Sequence, residues 1–153
     1  MQTVTAEWLQ ATEVFSEVPL DQLQWMIANS EHLEMQEGSY FFKSGDPVRG
    51  AYVVISGRMR LYILHNREMQ EINVLTSGDI SGMLPFSRGI SATVNAKVLE
   101  ETKVMLLPTG KFREMISRFY ELTAALVHVM TTRVRNYTSL QQQNEKIDRK
   151  SVV

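Results

Sequence analysis

Hydrophobic positions along this chain change their spacing twice. From Thr5 to Ser30 they recur at intervals of three and four: Trp8, Leu9, Ala11 or Thr12, and Phe15 fall on one side of a helix, and Pro19 breaks the run. Asp21 is then placed to cap a short second helix carrying Leu23, Met26 and Ile27 on one side. From about His32 to Leu107 the period falls to two. Leu33 and Met35, Tyr40 and Phe42, Tyr52 and Val54, and Met59, Leu61 and Ile63 alternate with polar or opposite-facing neighbours. Ile72 and Val74, then Val94, Ala96 and Val98, then Val104 and Leu106 continue the pattern, which predicts strands with one face on a core. Glycines punctuate these runs, and His65-Asn66-Arg67 joins two of them as a hairpin tip.

At Thr109 the helical period returns. Gly110 to Phe119 predicts a short helix with Phe112, Met115 and Ile116 inward. Glu121 opens a long apolar-striped segment that can run to about Lys146, with neither Gly nor Pro to stop it. Many short strands between tight turns predict an α+β, mainly β, fold: an antiparallel jelly roll flanked by N-terminal helices and by a short and a long C-terminal helix. The expected divisions are a helical segment at 1–30, the jelly roll at 31–108 with a distinctive turn at 78–92, and the C-terminal helices at 109–153.

Composition narrows the function classes. A chain of 153 residues, 44% hydrophobic and 22% charged, suits one globular domain with a sizeable core. The formal net charge is −1 with no long block of Lys and Arg, which leaves general nucleic-acid binding unsupported. Cysteine is absent, removing disulfides, thiolate metal sites and a thiol nucleophile together. No signal peptide is visible around Trp8 and Leu9, and apolar runs such as Ala51 to Ile55 are far too short to span a membrane. The expected compartment is the cytoplasm.

The stretch Gly78-Asp-Ile-Ser-Gly-Met-Leu-Pro-Phe-Ser-Arg88 is the most informative. Glycine lets a backbone approach an anion, and the first amides of a helical turn point outward unpaired. Arg88, six residues beyond Gly82, can supply a countercharge, so the turn can cradle a phosphate. The alternative is a plain connection between strands, and local sequence does not choose.

Catalytic chemistry finds no footing. His32, His65 and His128 fall at an early strand edge, a hairpin tip and the long helix, without the close spacing a metal site needs. Glu100 and Glu101 are adjacent and expected on opposite faces of a strand. The chain is therefore read as a non-enzyme, with no metal.

The last helix carries its own motif. Leu126, Met130, Arg133, Tyr137, Leu140, Asn144 and Ile147 recur at alternating intervals of four and three, a heptad stripe interrupted by two polar groups that fix register in paired helices. Up to about Val134 the same stripe is explained by packing on the chain's own barrel. Beyond it a two-chain seam is the better account, predicting a homodimer.

The order of helix, jelly roll, glycine-bearing turn, short helix and long helix resembles the cyclic nucleotide-binding domain, from about Phe15 to about Thr138. The carrying residues are Phe15 to Pro19 with Leu23, Phe42 to Asp46, Tyr52 to Gly57, Gly78-Asp79 followed by Gly82, and Ser91 to Val94. The chain is similar above all to members fused ahead of sensor histidine kinases, on the strength of Gly82 to Arg88 and the Gln142 to Lys146 run. The resemblance implies a regulatory sensor with a cyclic nucleotide, cyclic AMP or cyclic GMP, as ligand. It implies a pocket lined by Gly82, Met83, Leu84, Arg88, Ser91 and Ala92, with Tyr137 and Thr138 reaching the base, and a downstream kinase as effector. It also exposes two departures. Met83 stands where nucleotide-binding members place a ribose-binding glutamate, and Ile90 stands where they place the phosphate-binding arginine. Losing both partners costs on the order of several kcal/mol, or about a thousandfold in affinity. Ordinary cyclic AMP binding is thus doubtful unless Arg88 substitutes. The competing readings are a ligand-free dimerisation or protein-interaction module, and a transcription regulator cut before its helix-turn-helix. The chain itself has no expected nucleic-acid or membrane contact.

Overall fold

The computed structural model describes residues 4–82 and 92–129. Two helices open the chain: α1 (Ala6–Gln10) and α2 (Leu20–Asn29). Eight strands follow: β1 (Glu31–Met35), β2 (Tyr40–Phe42), β3 (Gly50–Ser56), β4 (Met59–His65), β5 (Glu68–Leu75), β6 (Ile80–Gly82), β7 (Asn95–Val98) and β8 (Thr102–Pro108). Then come α3 (Thr109–Arg118) and a helix at 120–129, here α4. All strand pairings are antiparallel, in two four-stranded sheets ordered β1-β8-β3-β6 and β2-β7-β4-β5. This is the expected jelly roll. Among the described residues no helix is long and apolar enough to cross a membrane.

Local chemistry starts each element. The Thr5 hydroxyl accepts the Trp8 amide at 3.1 Å and caps α1. Pro19, not Asp21, occupies the cap of α2, with its carbonyl accepting the Gln22 and Leu23 amides. Asp21 sits inside the first turn, where a carboxylate is favoured by the helix dipole rather than by a capping bond. Asn66 and Arg67 form the predicted hairpin tip between β4 and β5, both with positive φ (52° and 68°), the geometry a two-residue primed turn demands.

Strands β3 and β8 are buried on both faces, because each side of the first sheet meets a different partner. Ala51, Val53, Ile55, Ile80, Met105 and Leu107 face the helices and pack with Leu9, Phe15, Leu23, Met26, Phe112, Met115, Leu122 and Leu126. Tyr52, Val54, Val104 and Leu106 face the second sheet, meeting Met59, Leu61, Leu75, Val94, Ala96 and Val98. The chain crosses from the first sheet to the second at Gly57. That residue has φ +96°, and a Cβ there would lie 2.3 Å from the Thr102 hydroxyl and 2.5 Å from the Glu101 carbonyl oxygen.

Three expectations change. A register shift in the β4–β5 pairing pairs Leu61 with Asn73 and Tyr62 with Glu71, so the side chains facing the inter-sheet core are Ile72 and Leu75, with Val74 outside it. Ile116 is 45% exposed; only Phe112 and Met115 of α3 reach the core. Glu100 and Glu101 lie in the turn between β7 and β8, where Glu100 meets Arg58 at 3.3 Å.

Two side-chain links outside the cores matter below. Gln22 donates to the Glu121 carboxylate at 2.7 Å and accepts the Leu122 amide at 3.0 Å, tying α2 to the start of α4. Its donated bond holds the Glu121 carboxyl below its ordinary range. On the outward side of the second sheet the Tyr40 and Tyr62 hydroxyls lie 3.0 Å apart, with Lys43 4.8 Å above the Tyr40 ring. The hydrogen bond to Tyr40, then burial, then repulsion from Tyr40 raise the Tyr62 hydroxyl above its ordinary value.

Candidate ligand-binding site

The turn at 78–92 leads from the first sheet toward β7 of the second. Its entry is stiff: Gly78 takes φ +91° and donates to the Val54 carbonyl at 2.8 Å, while Val54 donates to the Asp79 carbonyl at 2.9 Å. The Asp79 carboxylate accepts the Thr76 amide at 2.8 Å, closing the bend before β6. β6 then pairs with β3, setting Gly82 opposite Ala51 and Ser81 opposite Tyr52. At the exit, the Ala92 amide donates to the Asp46 carbonyl and its carbonyl accepts the Gly45 amide, both at 2.8 Å. Asp46 in turn folds its own bend by accepting the Lys43 amide at 2.8 Å, and the Ser44 amide donates to the Asn95 side chain at 2.9 Å. The loop before β3 thus clamps the exit of the turn. Val94 and Ala96 follow into the inter-sheet core.

Between these two anchors lies an aromatic wall. Tyr52 is buried on the inner face of β3, with the Phe41 ring 4.8 Å away and the Phe42 ring 6.0 Å away. Cross-strand partners share a face, so the buried Ser81 projects to the same side as Tyr52. The described wall therefore offers apolar surface, aromatic faces and two hydroxyls, with the Arg49 guanidinium, itself paired with Glu31 at 3.2 Å, lying 5.9 Å from the centre of the Phe41 ring. Among the described residues the buried polar or charged side chains are Gln22, Ser81 and Thr102, with no Lys or Arg among them. Such a wall suits a flat, partly apolar ligand body; a phosphate on that ligand needs its cation from elsewhere.

Of the site residues expected from sequence, Gly82 ends β6 and Ala92 is buried at the exit of the turn. Met83, Leu84, Arg88, Ser91, Tyr137 and Thr138 lie outside the described residues. So do Met130, Arg133, Leu140, Asn144 and Ile147 of the expected seam. Leu126 is fully buried in the chain's own helix-side core, the placement that packing on its own barrel predicts for this half of the stripe. Phe42, Tyr52 and Ser81 enter the sequence reading as strand, turn or motif residues without a role in the site, and Phe41 does not enter it. The signal that finds them is register: Tyr52 is the inward residue of β3 nearest the glycine that opens the turn. Among the described residues no three His, Asp or Glu side chains gather as a metal site requires, and the His32 Nε2 lies 3.0 Å from the Ile27 carbonyl oxygen.

A family model of the cyclic nucleotide-binding domain matches residues 32–119, the jelly roll together with α3. The chain belongs to that family. Its domains are regulatory rather than catalytic. Neuropathy target esterase sws of Drosophila melanogaster is 27% identical over 148 aligned residues, covering 86% of this chain and 10% of that protein. The chain thus spans about a tenth of the length of the curated relatives it matches. Among solved structures, the Catabolite Activator Protein of Thermus thermophilus superposes with a TM-score of 0.73 at 20% identity, covering 85% of this chain and 61% of that one. The sensor domain of the transcriptional regulator DNR from Pseudomonas aeruginosa gives 0.69 at 20% identity, covering 87% and 90%. These structural likenesses show the fold.

Proposed function

We propose that this domain is a cytoplasmic sensor that binds a nucleotide-like ligand between the Gly78–Ala92 turn and the Phe41, Phe42 and Tyr52 wall. It passes occupancy through a paired C-terminal helix to a downstream effector, a sensor histidine kinase. The observation that carries the reading is the anchoring of one glycine-bearing turn at both ends, Gly82 on β3 of the first sheet and Ala92 on the Gly45–Asp46 bend that joins the second sheet to the first. A ligand held by that turn pulls on both sheets. Arg88 is the phosphate partner in this scheme, since Ile90 carries no charge and Arg49, the cation beside Phe41, is already paired with Glu31 at 3.2 Å. Met83 in place of a carboxylate gives a ribose hydroxyl no charged acceptor, so the ligand is held chiefly through its phosphate and its base. Leu122 and Leu126 seat α4 on the helix-side core, so a shift of the first sheet moves the root of the long helix. Ligand binding biases that helix only as far as the ligand prefers one arrangement over the other.

Calorimetric titration with cyclic AMP, cyclic GMP and cyclic di-GMP tests the scheme. The expected result is saturable binding of one of them, weakened at least tenfold in Arg88→Ala. If none binds at millimolar concentration and Arg88→Ala changes nothing, the domain is a ligand-free dimerisation module and the sensor reading fails.

A further inference from the structure

A second concavity lies away from the turn. It is a groove of about 880 Å³ between the segment joining α1 to α2 and the exposed side of α4. Its floor is Val14, Val18, Ala125 and Val129, all packed against the helix-side core. Its rim carries Glu13, Glu17 and Glu121, together with His128 and a Tyr120 ring that is 80% exposed. Among the described residues no Lys or Arg lines it. An apolar floor with a carboxylate rim fits a helix or strand that is apolar on one side and basic on its flanks.

The chain's own charge distribution supplies such a segment. Residues 1–42 hold seven acidic side chains and no Lys or Arg, so the groove lies within the acidic part of the molecule. Residues 133–150 hold five Lys or Arg against two acidic side chains, interleaved with Val134, Leu140 and Ile147. From Glu121 to Val153 the sequence contains neither Gly nor Pro, the residues that reverse a chain most readily. A stretch that leaves the groove wall at Val129 is thus poorly equipped to fold back onto it. A neighbouring molecule has no such restriction.

We propose that this groove docks the basic stretch 133–150 of a second copy of the chain. The contact draws on residues that the helix seam proposed above also uses, so Leu140 and Ile147 serve one or the other in a given dimer, and the groove contact can stand if the seam fails. It makes the association of two copies depend on charge pairing at the N-terminal helices, and so on ionic strength.

The test is carbodiimide cross-linking of the full chain, refolded as an equal mixture of isotope-labelled and unlabelled protein and read by mass spectrometry. The expected products join Lys146 or Lys150 to Glu13, Glu17 or Glu121 in mixed-isotope pairs. They disappear in E13K/E17K, whose dimer dissociates about three- to tenfold more readily at low salt, the range expected for a few rim ion pairs. Both glutamates are exposed, and an unchanged melting curve verifies the fold of that variant. Cross-links confined to a single isotope, or none at all, overturn the proposal, as does an E13K/E17K dimer of unaltered affinity. Leu140 belongs to both contacts, so E13K/E17K is the variant that separates them: it weakens a groove dimer and leaves a seam dimer unaltered.

Discussion

The two cores on either side of β3 are built differently. The helix-side core is the larger, with Leu9, Phe15, Leu23, Met26, Met105, Leu107 and Leu122 all fully buried at its centre. The inter-sheet core is looser at one end: Leu33, Met35, Phe41, Phe42, Ile63 and Ile72 are only partly buried, and Tyr52 and Ser81 bring hydroxyls to its inner face. Close packing that resists change suits a region that transmits displacement, while an aromatic, incompletely covered region suits one that admits a guest. The contrast assigns a mechanical role to the first core and a receptive role to the second.

Substitutions on the two sides should break that contrast unequally. Phe15→Ala empties a fully buried site and is expected to cost about 3–5 kcal/mol in chemical denaturation. Phe41→Ala, on the partly covered side, should cost only about 1–2 kcal/mol, chiefly its ring contacts with Tyr52 and Phe42. Equal losses at the two positions would erase the distinction. Next in size is Gly57→Ala at the crossing between sheets. A left-handed φ and a Cβ set against the Glu101 backbone predict roughly 2–4 kcal/mol, visible as a lowered Tm in scanning calorimetry.

Gln22→Met tests the tie between α2 and α4 with nearly constant side-chain volume. It leaves the buried Leu122 amide without its acceptor, worth about 1–3 kcal/mol near neutral pH. It also removes the bond that lowers Glu121. A carboxyl depressed in the folded state stabilises above its unfolded pKa, and that contribution is lost as pH falls through the folded value. Stability of the parent protein should therefore decline on acidification through this window more steeply than that of the variant, as urea titrations at several pH values would reveal. The smallest effect is expected at Tyr40→Phe. Tyr62 is raised above 10.0 in the fold, so the pairing contributes below that pH and fades as pH climbs through the folded value. The alkaline fall in stability should be flatter in the variant, and tyrosinate absorbance should report an earlier ionisation.

Alternation and turn chemistry made the strand order and the Asn66-Arg67 tip readable from sequence, because a half-buried strand writes its period directly into residue type. The same logic held at Ile72 and failed at Val74, whose inward place Leu75 takes. A register shift on β5 moves the inward set by one residue, and nothing in Glu68 to Leu75 marks it. Asp21 misled for a related reason: a capping residue type can stand two positions inside its helix when a proline has already set the entry angle. Gly82 was singled out because glycine signals close approach, and Ala92 because it stands in the Ser91 to Val94 run that carries the resemblance. Tyr52 and Phe41 were missed as site residues because their role depends on which strands become neighbours, information that only pairing supplies.

One consequence of β3 reaches beyond this molecule's stability. A ribbon hemmed in on both flanks has no neutral side, so an exchange at Tyr52 or Val54 is felt by Val53 and, through it, by the helices. Sequence drift toward a new guest molecule is therefore channelled away from β3 and onto Phe41, Phe42 and the loop margins. Those half-covered positions can vary without disturbing the lever behind them.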